Sequence, residues 1–278
     1  MADIEAAYRE CEQITWSQAR NFAYGIRLLP TAKRHALSAV YAFARRVDDI
    51  GDGTLPADEK LAQLEQARGE VEMLSNDDDL VIVALADVAK RFPVPMAAFG
   101  ELIDGCVADV KGTSYQTFDE LHHYCRCVAG SVGRLSLGIF GSSDDKAPQL
   151  ADDLGIALQL TNILRDIRED QQNGRVYLPA EDLKKFDVNI AELQATPQFG
   201  TLMEFEINRA RDWYATGFKL LPLLDYRSRA CTGAMAGIYR TLLERIAQQP
   251  GEVLRGRVSL PGSEKAMVAV KALTGRIR

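Results

Sequence analysis

The helix that decides the fold is encoded by Gln159-Leu160-Thr161-Asn162-Ile163-Leu164-Arg165-Asp166-Ile167-Arg168-Glu169-Asp170. At 3.6 residues per turn, Gln159, Asn162, Asp166 and Asp170 recur every three or four residues and share one face. The other positions are largely apolar, so we expect the polar stripe to face a cavity rather than bulk water. Two carboxylates and an amide oxygen on such a stripe are ligands that suit Mg²⁺.

The alternative interpretation is an ordinary amphipathic helix on the protein surface. Arg165 and Glu169 are four residues apart, a spacing that allows an exposed ion pair on one helix face. The stretch taken alone supports a metal-binding face and a surface helix about equally. The rest of the chain has to distinguish them.

A second acidic stripe ends the run Tyr41-Ala42-Phe43-Ala44-Arg45-Arg46-Val47-Asp48-Asp49-Ile50-Gly51-Asp52. Asp48 and Asp52 share one helix face with Arg45 just upstream, and Asp49 lies toward the flank. Carboxylates at a helix C-terminus are unfavourable because they oppose the helix dipole. Residues that are locally unfavourable in this way often have a functional role. If a helical bundle brings the two stripes together, the expected ligand is Mg²⁺ that bridges the carboxylates to a polyphosphate.

Composition excludes several classes of protein. The chain has 278 residues, of which 47% are hydrophobic and 26% charged, as in ordinary globular proteins. The formal charge of −6 argues against a nucleic-acid partner. No apolar run approaches the roughly 20 residues of a membrane span, and the first residues lack signal-peptide features. Five scattered cysteines fit free thiols in a reducing cytoplasm, so we expect a cytoplasmic protein.

Helical periodicity extends along nearly the whole chain, and strand signals are almost absent. The predicted helices span residues 5–24, 33–50, 57–74, 79–91, 95–111, 117–140, 149–172, 199–224, 228–249 and 263–273, with a short helical turn at 180–186. Thr31 is expected to cap the second of these helices. The small residues near 124–133 predict either a bend or a close helix contact. We therefore predict one all-α domain covering residues 1–278.

Taken in order, these motifs resemble those of the squalene/phytoene synthase family of head-to-head prenyl transferases. The family's first acidic motif is matched by Asp48-Asp49-Ile50-Gly51-Asp52, and its second by the stretch quoted first. The segment 124–133 resembles the third signature, and Gly174-Arg175-Val176-Tyr177-Leu178-Pro179 follows in the expected place. The likeness covers roughly residues 11–260, nearly the whole chain.

The resemblance implies an all-α, isoprenoid-synthase-type helical bundle around a central apolar cavity, with two or three Mg²⁺ ions. The implied metal ligands are Asp48, Asp49, Asp52, Asn162, Asp166 and Asp170. The implied catalytic residues are Tyr41, Arg45, Tyr124 and Arg165. The implied substrate contacts are Arg20, Asn21, Phe22, Val128, Gln159, Arg175, Tyr177, Tyr239 and Arg257.

One departure from the family pattern lies near the start of the chain. Many members carry Ser-Arg/Lys-Ser-Phe where this chain reads Ala19-Arg20-Asn21-Phe22, so a hydroxyl that can bond a diphosphate oxygen is missing. In this form the chain looks most like the bacterial hopanoid-pathway members that make presqualene diphosphate. The resemblance then implies Mg²⁺-dependent condensation of two farnesyl diphosphates to presqualene diphosphate, with release of diphosphate and without NADPH.

Several alternatives stay open. Within the family they are phytoene synthase, which uses two geranylgeranyl diphosphates, and a complete NADPH-dependent squalene synthase. Outside this activity they are a terpene cyclase and a non-catalytic scaffold relative. The expected small-molecule partner is farnesyl diphosphate, and enzymes that act later in the same pathway stay open as protein partners. The basic C-terminal residues are Lys265, Lys271, Arg276 and Arg278. These residues allow two interpretations. Either they contact anionic headgroups at the inner membrane surface, or they belong to an ordinary C-terminal helix whose lysines face solvent.

Overall fold

A computed structural model describes residues 3–19, 21–74 and 78–275. Arg20, Arg276 and Arg278, which the sequence singled out, lie outside these residues. Within the described ranges the chain forms helices and turns and no strand. The all-α prediction is confirmed.

The helices follow one another with short connections. Their bounds are α1 (Ile4–Gln18), α2 (Ala23–Ile26), α3 (Thr31–Asp52), α4 (Ala57–Met73), α5 (Leu80–Arg91), α6 (Ala97–Val110), α7 (Phe118–Cys125), α8 (Ser131–Phe140), α9 (Ala147–Gln172), α10 (Ala180–Lys185), α11 (Pro197–Gly217), α12 (Tyr226–Gln248) and α13 (Gly262–Leu273). A π-helical turn (Arg126–Gly130) joins α7 to α8, and short 3₁₀ turns lie at Ile190–Glu192, Phe218–Leu223 and Pro250–Leu254.

Local chemistry explains most helix starts. Side-chain oxygens of Asp3, Asp79, Thr117, Thr196 and Asp225 accept backbone N–H groups at the N-termini of α1, α5, α7, α11 and α12. Such caps satisfy donors that have no partner within the helix, and each contributes about 1 kcal/mol. These short-range signals account for the agreement between the predicted and observed starts.

Two predictions near the start of the chain are wrong. The first helix ends at Gln18 instead of residue 24, and a turn precedes the short α2. Thr31 does not cap α3, because Pro30 occupies the cap position and Thr31 is already helical. The ring of Pro30 provides an extended residue before the helix without a side-chain hydrogen bond, so a capping hydroxyl is not required.

The small residues of 124–133 serve both roles that the sequence left open. The backbone widens into a π-helical turn, a feature common at functional sites. Glycines on both sides let α9 approach closely: a Cβ at Gly155 would lie 2.4 Å from the Ala129 carbonyl oxygen. A Cβ at Gly133 would lie 2.4 Å from the Ala151 carbonyl oxygen. Backbone therefore packs directly on backbone between α9 and both the π-helical turn and the start of α8.

Helix α9 occupies the centre of the bundle. It packs against α8, the π-helical turn, α11 and α12. One hydrophobic core contains buried residues from α1 to α12. A small satellite cluster of Ala234, Ala269 and Ala272, with Tyr24 and Leu28 packed on it, holds α13 against α12 and α2. The single-domain organisation over residues 1–278 stays a prediction.

Candidate active site

The polar stripe of α9 is accessible to solvent, although most of the helix is buried. Between residues 155 and 170, the partly exposed positions are Gly155, Leu158, Gln159, Asn162, Asp166, Arg168 and Asp170, and Glu169 is exposed. Most other positions of α9 are buried against neighbouring helices, so the stripe of Gln159, Asn162, Asp166 and Asp170 is an accessible polar strip on a largely packed helix. Arg165 is only 6% exposed and pairs with its neighbour Asp166. The alternative of a surface helix with an exposed Arg165–Glu169 pair is therefore wrong.

Two arginines converge on Asp166. The Arg165 Nε donates to Asp166 Oδ1 at 2.8 Å, and a second guanidinium nitrogen contacts Oδ2. The Arg257 Nε lies 3.2 Å from the same Oδ1. Paired guanidinium groups beside an accessible carboxylate can bind the oxygens of a diphosphate through their forked donors.

Asn162 has an unpaired oxygen. Its Nδ2 donates to Gln159 Oε1 at 3.2 Å, while its Oδ1 is buried and accepts no hydrogen bond. An unsatisfied buried carbonyl costs about 1–3 kcal/mol, a cost that a bound cation removes. Asn162 Oδ1 therefore fits a hard metal ion on the same stripe as the two aspartates.

The first acidic stripe lies at the end of α3. Arg45 Nη1 donates to Asp48 Oδ2 at 3.1 Å, and its other terminal nitrogen contacts Asp49 Oδ1. Asp49 itself lines a separate groove that Ile14 and Gln63 also border. Asp49 therefore lies on the flank, away from the face of Asp48 and Asp52.

Arg175 joins the two stripes. Its backbone N–H donates to the Asp170 carbonyl at 2.8 Å, which keeps the loop folded back on the end of α9. Its Nη1 donates to Asp52 Oδ1 at 2.8 Å, and its Nη2 to the Gly51 carbonyl at 3.4 Å. The structure thus brings the ends of α3 and α9 to one place, although their acidic motifs are more than a hundred residues apart.

Asp109 on α6 is a site residue that the sequence reasoning missed. The hydroxyls of Tyr124 and Tyr177 each donate to one of its carboxylate oxygens at 2.8 Å. The rings of these tyrosines stack 5.2 Å apart, and Tyr115 packs against both. A signal was available, because Asp109 ends a mostly apolar helix just as Asp48 does.

The carboxylates of the site repel one another. Burial, with Asp166 nearby, raises the pKa of Asp170 to about 7. Desolvation by the surrounding groups, with Asp52 nearby, raises the pKa of Asp48 to about 6, although about half of its side chain (54%) is exposed. Burial also raises the pKa of Asp109, which contributes to the shifts of both. Carboxylates whose charge is disfavoured in this way bind a cation readily, because the cation stabilises the ionised form.

Aromatic rings line the site beside the acidic residues. Phe22 stacks on Tyr239 with ring centroids 5.5 Å apart, and Tyr41 meets Phe22 edge-on at 6.4 Å. Tyr239 also lies beside Arg165. Aromatic faces stabilise a nearby cation by about 0.5–2 kcal/mol.

The remaining predicted residues divide into three cases. Val128 is half-buried on the π-helical turn, and Asn21 lies in the turn directly before Phe22. Arg20 is not among the described residues. In the described ranges no three acidic, histidine or cysteine side chains are arranged to hold one metal ion. The predicted ligands lie on two helices, and Asp48, Asp49, Asp52 and Asp166 are paired with arginines. The metal-binding role of the predicted ligands stays a prediction.

Comparison with known proteins gives a consistent picture. A family model described as squalene/phytoene synthase matches residues 17–264. The chain is 48% identical to a phytoene synthase of Mycobacterium tuberculosis, an alignment that covers 100% of this chain and 94% of the relative. It is 36% identical to a 15-cis-phytoene synthase of Synechococcus elongatus, over 94% of this chain and 90% of the relative.

Solved structures have the same fold. A dehydrosqualene synthase superposes with a TM-score of 0.90 at 30% identity, over 98% of this chain and 97% of its own. The squalene synthase HpnC of Alicyclobacillus acidocaldarius superposes with a TM-score of 0.83 at 29% identity, over 92% and 97%. Among the described residues, no helix has the length and apolar character needed to cross a membrane.

Proposed function

The chain belongs to the squalene/phytoene synthase family of prenyltransferase-type enzymes, and on this premise we propose that it joins two prenyl diphosphates head to head. The observation that carries the proposal is the meeting of the two acidic stripes through the Arg175–Asp52 bridge. A site with carboxylates on two helices and arginines between them suits a metal–diphosphate complex.

The site residues fit Mg²⁺. Asn162 Oδ1 lacks a hydrogen-bond partner, and the carboxylates around it are crowded. We propose that Asn162, Asp166 and Asp170 hold the ions on one side and Asp48 and Asp52 on the other. When bound, Mg²⁺ neutralises the charge that develops on the leaving diphosphate.

The chain's own residues provide the remaining functions. Arg165, Arg175 and Arg257 are placed to bind diphosphate oxygens, which favours cleavage of the allylic C–O bond. The stacked rings of Phe22 and Tyr239 offer faces that stabilise the resulting allylic cation. Binding the second chain beside this cation makes the coupling effectively unimolecular.

The tyrosines around Asp109 have a positioning role. Tyr124 and Tyr177 donate their hydroxyl hydrogens to Asp109, and burial raises the pKa of both phenols. Both remain protonated in this arrangement and do not accept a proton themselves. The released diphosphate is then the base that we favour for the proton loss that closes the cyclopropane ring.

We propose geranylgeranyl diphosphate as substrate and phytoene as product, because a relative at 48% identity is named phytoene synthase. To reach phytoene, the cyclopropyl intermediate loses its remaining diphosphate, the three-membered ring rearranges and a second proton leaves. The second candidate is presqualene diphosphate formation from farnesyl diphosphate. It is supported by the Ala19-Arg20-Asn21-Phe22 variant and by the likeness to the dehydrosqualene synthase and HpnC structures. Neither route consumes NADPH.

The deciding experiment is incubation of the purified chain and Mg²⁺ with either diphosphate, with and without NADPH, followed by product identification. Phytoene from geranylgeranyl diphosphate supports the proposal. Presqualene diphosphate that accumulates from farnesyl diphosphate even with NADPH supports the second candidate, and squalene indicates the complete synthase. A product made from a single prenyl chain, or no product from either substrate, refutes head-to-head condensation.

The ligand assignment has its own test. Asp48→Asn and Asp166→Asn should each lower kcat/KM by about a hundredfold or more, because a charge that stabilises the transition state is lost. Asp145→Asn, at an exposed loop position, is the matched control and should leave kcat/KM unchanged. Circular dichroism confirms that the variants stay helical. Full activity in either site variant contradicts the assignment.

A further inference from the structure

A second polar cavity lies beside the site, where the chain passes from the end of α12 to α13. It encloses about 540 Å³. Six polar side chains line it, those of Arg245, Gln248, Gln249, Glu252, Arg255 and Arg257. Three arginines stand against one carboxylate, so this cavity, which we call the arginine pocket, is positively charged, whereas the formal charge of the whole chain is −6. A cavity of this composition attracts anions.

The arginine pocket adjoins the proposed diphosphate site through Arg257. The Arg257 side chain lines the pocket, while its Nε lies 3.2 Å from Asp166 Oδ1 on the polar stripe of α9. Helix α9 also holds the backbone of the pocket, because Arg168 Nη1 donates to the carbonyls of Leu254 and Arg255 at 3.2 Å and 2.8 Å. The pocket is therefore fixed to the helix that carries Asp166, and Arg257 reaches both places.

The arginines of the pocket are accessible to a ligand. The side chain of Arg255 is 78% exposed and that of Arg257 is 56% exposed. Arg255 pairs with Glu252, and an ion pair in solvent of this kind contributes little to stability. A multiply charged anion offers more acceptor oxygens than one carboxylate, so it can replace Glu252 at the guanidinium. Arg245 is held in place, because it donates to both carboxylate oxygens of Glu264 at 2.8 Å.

The lining of the pocket also limits the class of anion that it can bind. None of the described lining residues carries an aromatic ring, and Val258 is the one apolar side chain among them. A nucleotide base or a prenyl chain would need an apolar or aromatic surface to bind against. The pocket therefore suits a small, highly charged anion without an apolar part. The proposed reaction releases such an anion, inorganic diphosphate.

We propose that the arginine pocket is a release site for inorganic diphosphate. The released diphosphate moves from Asp166 to Arg255 and Arg245 while Arg257 stays in contact with it. This inference rests on the proposed function, since the pocket receives a product of that reaction. The consequence is a second diphosphate site beside the metal-dependent one. It needs no Mg²⁺, because its positive charge comes from arginines.

Isothermal titration calorimetry with sodium diphosphate and the full chain in EDTA tests the proposal. Without Mg²⁺ the carboxylates of the active site repel the anion, so binding is expected at the arginine pocket, with one diphosphate per chain. R255E should weaken this binding about tenfold or more, because a charge-assisted contact becomes repulsive. The matched control is R9E, since the Arg9 side chain is 75% exposed on α1. It makes the same change in net charge and should bind diphosphate like the parent.

Two further comparisons make the binding result decisive. R255Q, which removes the charge of Arg255 without reversing it, should have an affinity between those of the parent and R255E, and circular dichroism checks that all variants stay helical. No diphosphate binding by the parent in EDTA overturns the proposal, as do equal affinities of the parent and R255E. Tighter binding of ATP than of diphosphate, also weakened by R255E, would assign the pocket to a nucleotide and overturn the proposal as well.

Inhibition kinetics separates the release site from the proposed function. With Mg²⁺ present, added diphosphate should inhibit the parent in two ways, competitively at the active site and noncompetitively from the arginine pocket. R255E should lose the noncompetitive part and keep the competitive one. A chain that turns over neither prenyl diphosphate would refute the proposed function and with it the role in release, although R255E-sensitive binding would still identify an anion site. Normal turnover without R255E-sensitive binding would refute the release site alone.

Discussion

A methyl group added at Gly155 tests the backbone contact between α9 and the π-helical turn. The Cβ of Gly155→Ala would lie 2.4 Å from the Ala129 carbonyl oxygen, 2.7 Å from its carbonyl carbon and 2.9 Å from the Gly130 nitrogen. All three atoms belong to helical backbone, so no side-chain rotation can relieve the clash. The two segments have to move apart by roughly an ångström to restore normal contact distances.

Two opposing effects determine how much Gly155→Ala changes the free energy of unfolding. Overpacking a core in this way usually destabilises a protein by about 1–3 kcal/mol. Because the neighbouring atoms here are rigid backbone, we expect a cost near the upper end of that range. Replacing glycine by alanine within a helix stabilises the folded state by about 0.5–1 kcal/mol, because alanine has the higher helix propensity. We therefore expect Gly155→Ala to lower the free energy of unfolding by about 1–2 kcal/mol. Because Gln159 and Asn162 lie one and two turns further along α9, kcat should also fall.

Gly69→Ala is the matched control. Gly69 lies inside α4 with no atom within 4 Å of a built Cβ. The same chemical change should therefore raise stability by about 0.5–1 kcal/mol. Urea unfolding followed by circular dichroism at 222 nm measures both variants against the parent. If Gly155→Ala is as stable as Gly69→Ala, the close approach of α9 to the π-helical turn is refuted.

Three further perturbations test other parts of the molecule. Arg175→Ala removes the ion pair with Asp52 and should lower kcat/KM by about tenfold or more. Steady-state kinetics and a titration of Mg²⁺ affinity measure the effect. Unchanged kinetics would show that the ion pair is dispensable. Asp109→Asn removes the charge that orients two tyrosines and should lower kcat with normal helicity and little change in KM, which steady-state kinetics checks. Burial raises the pKa of Glu206 to about 7 despite Arg209 beside it, so the folded state holds a proton that the unfolded chain releases, and stability should fall as pH rises from about 4.5 to about 7. Glu206→Gln should remove this loss of stability, which is about 3 kcal/mol over the whole pH range, and urea titrations at several pH values measure it. A pH dependence that is the same in the variant and the parent would contradict the assignment.

Local patterns in the sequence predicted much of the helical framework. The end of α9 was predicted at residue 172 and is observed at Gln172, because periodicity and turn residues act within a few positions. The predicted helix from residue 199 to 224 gives way to a 3₁₀ turn at Phe218–Leu223, where Pro222 cannot donate a helical hydrogen bond. Errors of this kind arise where neighbours in space decide the backbone conformation.

The sequence by itself determined the acidic stripes of α3 and α9. A side chain's position around a helix depends only on its spacing from its neighbours, so the shared faces of Asp48 with Asp52 and of Asn162 with Asp166 follow from counting residues. The order of the motifs along the chain was likewise sufficient to indicate the family, since it requires no knowledge of packing.

Only the tertiary structure decided which groups meet across the bundle. Asp109 receives the hydroxyls of Tyr124 and Tyr177 from segments far along the chain, and no local spacing links these three residues. The unpaired oxygen of Asn162 and the bridge from Arg175 to Asp52 likewise depend on how helices pack. Burial and long-range contacts are properties of the packed bundle, whereas helical phase is a property of the chain.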